Sequence, residues 1–152
     1  MNFLSYSLTA LISFLGLVAG IIIMLMAKEE QRPGKKYFIL LQKLILLLII
    51  IFLLYFIKFN LIIFITLFLI VIALYIKKYK NKKIIESYYI YPLLGVIFWL
   101  SSKNKSSLFI QSSLIFLYGL TSASLLVKKN NILKLIINHA SFIIVALILF
   151  LI

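Results

Sequence analysis

Long apolar runs separated by short polar breaks set the pattern of this chain. A helix crossing a hydrocarbon core needs about 20 mostly apolar residues. Six runs reach or approach that length: Phe3–Ala27, Tyr37–Ile57, Leu61–Ile76, Ile84–Ser101, Ser107–Val127 and Leu135–Ile152. Stretches such as Leu44–Leu54 do not alternate, which argues against barrel strands. A spanning helix also satisfies every backbone amide internally. The pattern predicts an all-α membrane protein, a single domain built as a bundle of six transmembrane helices with short loops.

The least marked boundary is Lys58-Phe59-Asn60, which has neither Pro nor Gly. An unbroken helix over Tyr37–Ile76 would be about 60 Å long, twice the hydrocarbon thickness. A tight hairpin with Asn60 capping the third helix is the better expectation. The longest polar segment, Lys28–Lys36, contains Pro33-Gly34, which predicts a turn.

The polar breaks fall into two kinds. Lys28, Arg32, Lys35 and Lys36 lie in the first, five lysines in Lys77–Lys83, and Lys128, Lys129 and Lys134 in a third. The alternate breaks hold only Lys58, Lys103 and Lys105. Basic residues near span ends mark the cytoplasmic side, so the three basic loops are expected inside and both termini extracytoplasmic. The halves would then carry three spans each in opposite orientation, a known transporter plan, although their residues do not match.

Composition agrees with the pattern: 65% of the 152 residues are hydrophobic and 12% charged. A soluble domain is about 45–50% apolar and about 25% charged. The net charge of +13 would suggest nucleic acid in a soluble protein. Here the charges flank spans, so the expected partner is a bilayer with anionic headgroups at the cytoplasmic loops, and nucleic acid is excluded. There is no cysteine, hence no disulfide or thiolate site. Met1–Leu4 lacks a basic start and the apolar run to Ala27 is long for a signal peptide, so a retained first span is expected. The expected location is a prokaryotic cytoplasmic membrane, as a multi-pass protein.

Small residues suggest helix packing. Ser13, Gly16 and Gly20 in the first span, and Gly119 and Ala123 in the fifth, form small-xxx-small patterns that allow close approach. Intramolecular packing is the first expectation; contact within a homo-oligomer or a larger membrane complex is the other.

Polar residues inside spans are expensive and point to function. With the basic loops inside, Gln42, Lys43, Glu86, Thr121, Ser122, Ser124, Asn138 and His139 all fall in the cytoplasmic leaflet. The candidate pocket is Lys43, Glu86, Tyr89, Thr121, Ser122, Asn138 and His139, open to the cytoplasm. Lys43 and Glu86 would pair, and His139 would be the titratable member. Pro92 is expected to kink the fourth helix, with Gly95 beside it. The bland alternative has Lys43 and Glu86 snorkelling to the headgroups.

Catalytic signatures are missing. There are three acidic residues, one His, and no HExxH, phosphate loop or GxSxG. No cofactor and no metal site are expected. The readings left are a small transporter or permease-like protein, a non-catalytic subunit or assembly factor of a membrane complex, and a membrane enzyme acting on lipid headgroups at the cytoplasmic face.

Overall fold

The structure, a computed structural model, describes residues 2–26, 31–56, 90–126 and 132–152. Within these, the side chains of 31–33, 124–126, 133–135 and 138 lie outside the description. The described chain is helical and contains no strand: α1 (Phe3–Met26), α2 (Gln31–Phe56), α3 (Ile90–Ser101), α4 (Lys105–Leu126), α5 (Ile132–His139) and α6 (Ser141–Leu151). Among the described residues, Phe3–Met26, Gly34–Phe56 and Lys105–Ala123 are each long and apolar enough to cross a membrane. The third expected span, Leu61–Ile76, lies outside the described residues, as does the hairpin at Asn60.

Two boundaries differ from expectation. Pro33-Gly34 is not a loop turn: α2 starts at Gln31 and takes both residues into its first turn. At the other end of the bundle, α4 starts at Lys105 because Asn104 caps it, with its Oδ1 accepting from the Ser106 amide at 3.0 Å. The Ser102 and Asn104 amides donate to the carbonyls of Trp99 and Ser101, closing a tight link between α3 and α4.

α5 and α6 behave as one rod. The Ala140 amide donates to the Ile136 carbonyl at 3.0 Å, and the Ile144 amide to the Ala140 carbonyl at 3.2 Å. Hydrogen bonding therefore runs past the break, and Ile132–Leu151 together reach about 30 Å.

α4 is the central helix. Half of its apolar window is buried, against 17% for the corresponding window of α2. α1 lies against α4 most closely. A Cβ at Gly16 would collide with the Phe116 carbonyl; one at Gly119 would sit 2.7 Å from the Leu17 nitrogen. A Cβ at Gly20 would meet the Ala123 methyl at 2.8 Å. Glycine is required along this seam because backbone meets backbone. Ser13 is buried too, but its hydroxyl donates to the Thr9 carbonyl of its own helix.

These contacts fix helix directions. Gly16 faces Phe116 and Gly20 faces Leu120, so α1 and α4 run the same way. Gln42 meets Tyr118 and Gln111 meets Ile49, so α2 runs opposite to α4. α3 also opposes α4, with Tyr91 against Ser122. α6 lies beside α3 in the same sense: Gly95 abuts Phe142 and Val145, and Tyr6 of α1 donates to the Ala146 carbonyl at 2.9 Å. Consequently α2 ends and α3 begins at opposite ends of the bundle. The end shared by Met26, Gln31, Ile90 and Leu126, flanked by the basic segments, is the basic end of the bundle.

Candidate functional site

Apolar side chains fill most of the bundle, including Leu17, Ile49, Leu53, Leu94, Phe98, Ile115 and Phe142. Polar groups interrupt this core in the half of the bundle nearer the basic end. Four elements contribute. α2 directs Gln42 inward, because it lies three and seven residues before buried Ile45 and Ile49 on one helix face. α3 places Tyr91 on the face of Leu94 and Phe98. α4 supplies Tyr118 and Ser122, continuing the stripe of Gln111 and Ile115. α5 ends in His139, which is 1% exposed.

The groups form a connected cluster. The Gln42 amide nitrogen donates to the Tyr118 hydroxyl at 3.1 Å. The Tyr118 and Tyr91 rings lie 6.0 Å apart. The Tyr91 and Ser122 hydroxyls are 2.7 Å apart, and Ser122 donates onward to the Gly119 carbonyl at 3.1 Å. With that proton committed, Tyr91 is the donor to Ser122. The His139 ring meets Tyr91 edge-on, at 4.3 Å between centroids. Hydrogen bonds and ring contacts thus link α2, α4, α3 and α5 at one depth.

The expected pocket residues fare differently. Ser122 and His139 are brought together, with Tyr91 between them. Thr121 is buried next to Ser122, and its hydroxyl donates to the Tyr118 carbonyl at 3.0 Å. The Lys43 side chain is exposed on the outer face of α2, while its neighbour Gln42 turns inward. Glu86 and Tyr89, and the side chain of Asn138, lie outside the described residues, and with them the expected Lys43–Glu86 pair. Pro92 lies near the start of the described part of α3; residues 84–89, against which a kink would be measured, are outside the description. Gly95 serves packing: a Cβ there would lie 2.8 Å from the Phe142 carbonyl.

Gln42, Tyr91 and Tyr118 are the additions. A signal for each was present in the register of apolar residues three, four and seven positions away. A second polar feature lies toward the opposite end. Gln111 donates to the Ile49 carbonyl at 2.9 Å, while its Oε1 and the Ser107 hydroxyl are buried without a partner among the described residues. No cluster of three His or acidic side chains occurs among the described residues. No protein family, curated protein or solved structure matches the chain.

Proposed function

We propose that this chain is a permease-like multi-pass membrane protein whose Gln42–Tyr118–Tyr91–Ser122–His139 cluster handles a small polar solute entering from the basic, cytoplasmic side. The observation that carries this reading is the cluster's continuity across four helices at one depth within an otherwise apolar bundle. Buried polar groups in a membrane mark solute and ion pathways more often than lipid-facing ones do. The residues belong to helices that run in opposing directions, so a small shift of α3 and α5 against α4 would open the cluster toward the basic end.

The same reading includes six crossings. The parallel run of α2 and α3, both antiparallel to α4, supports this reading, with the expected span Leu61–Ile76 as the third crossing. Both termini then face outward.

The absence of cysteine allows a direct test. Ser122→Cys and His139→Cys are introduced singly and treated with a membrane-impermeant thiol reagent from each side. The expected outcome is labelling from the basic side well above an Ile49→Cys control. No labelling of either variant from either side would sink the proposal.

One observation favours a second reading, a subunit of a larger membrane complex. α2 presents Leu40, Leu47, Ile51 and Tyr55 on a broad outward face, enough to seat a partner helix. Stoichiometric partners in a mild-detergent pull-down would favour it; a monodisperse single species would remove it.

A further inference from the structure

A groove of about 740 Å³ runs between α1, α2 and α4 at the basic end. Its longest wall is α2 from Gly34 to Leu48, about 21 Å of helix. Gly20 of α1, and Leu114 and Thr121 of α4, stand on the other sides. The walls are almost wholly carbon. Tyr37 and Thr121 bring the hydroxyls, and Thr121 donates its own to the Tyr118 carbonyl. Beyond the Tyr37 hydroxyl the groove offers a polar solute little, and it is separate from the Tyr91–Ser122 cluster.

Size and charge identify an occupant. The length exceeds one leaflet, half of the about 30 Å hydrocarbon core, so a whole acyl chain fits along it. The volume lies within the about 300–1,000 Å³ usual for a bound small molecule. Lys35 and Lys36, both exposed, stand in the turn of α2 that also carries Gly34 and Tyr37 at the rim. An anionic headgroup placed there would meet these ammonium groups at the end of the molecule that carries most of its charge. A second copy of this chain, whose net charge is +13, would instead add positive charge, and like charges oppose that contact.

We infer that the groove holds one acyl chain of an anionic phospholipid of the inner leaflet, with its headgroup on Lys35 and Lys36. The inference rests on the basic end facing that leaflet and not on the polar cluster, so either can fail alone.

The test uses the full chain in nanodiscs of equal phosphatidylglycerol and phosphatidylcholine, released and weighed by native mass spectrometry. One retained phosphatidylglycerol per chain is expected. Each lysine near the surface favours an anionic lipid by about 5-fold, so Lys35→Gln with Lys36→Gln should lower the preference by at least about 10-fold. Leu44→Trp fills the groove from α2, and Ile23→Trp from α1; both positions are about half exposed, and either variant should lose the retained lipid while melting as before. Equal retention of phosphatidylcholine, or tryptophan variants that keep the lipid, would overturn the inference. So would a protein dimer that Leu44→Trp dissociates, since a second copy would then be the occupant.

Discussion

At the residue scale, single atoms decide where helices can approach. A Cβ at Gly16 collides with the Phe116 carbonyl, a backbone atom that cannot rotate away. Gly16→Ala should therefore cost about 1–3 kcal/mol through overpacking, seen as a lower melting temperature in detergent. Gly34→Ala is the contrast: the nearest atom is the Phe38 ring edge at 3.2 Å, which can shift. Gly34→Ala should be neutral or stabilising by up to about 1 kcal/mol, as alanine is the better helix former. The small residues were visible in the sequence, and so was their spacing. Which helix each met was not, because Gly16–Gly20 fits any partner with a matching stripe of small residues. The polar candidates show the same limit. Lys43 drew attention through its charge, yet adjacent helical positions point about 100° apart, and it is Gln42 that enters the bundle.

At the element scale, α4 carries the architecture. It meets α1 through glycine, α2 through Gln111 and Tyr118, and α3 through Ser122. The α2–α4 pairing is held at two levels by side-chain hydrogen bonds in apolar surroundings. Such bonds in membranes average about 0.6 kcal/mol and reach about 1.7 kcal/mol. A double-mutant cycle of Gln42→Leu and Tyr118→Phe, scored by unfolding in mixed micelles, should give a coupling in that range. Zero coupling would mean that the 3.1 Å contact contributes nothing. The existence of the described helices was legible from apolar run length alone. The start of α2 was not, because Pro-Gly signals a turn in a loop but is tolerated within a first helical turn, and the two readings differ only in what precedes them.

At the scale of the whole molecule, charge and direction agree. The described contacts make α1 parallel to α4, and α2 and α3 antiparallel to it. That is the arrangement that alternating basic and neutral breaks imply when each run crosses once. With the basic end inside, as proposed, the polar cluster would sit in the inner half of the membrane and the apolar groove would open into the inner leaflet. Both functional proposals rest on that orientation. It can be measured on the cysteine-free chain with Lys36→Cys at the basic end and Asn104→Cys at the other, using an impermeant thiol reagent on intact cells and on permeabilised ones. Labelling of Asn104→Cys in intact cells, with Lys36→Cys reacting only after permeabilisation, is the predicted result. The reverse pattern, or both positions reacting from the same side, would contradict it.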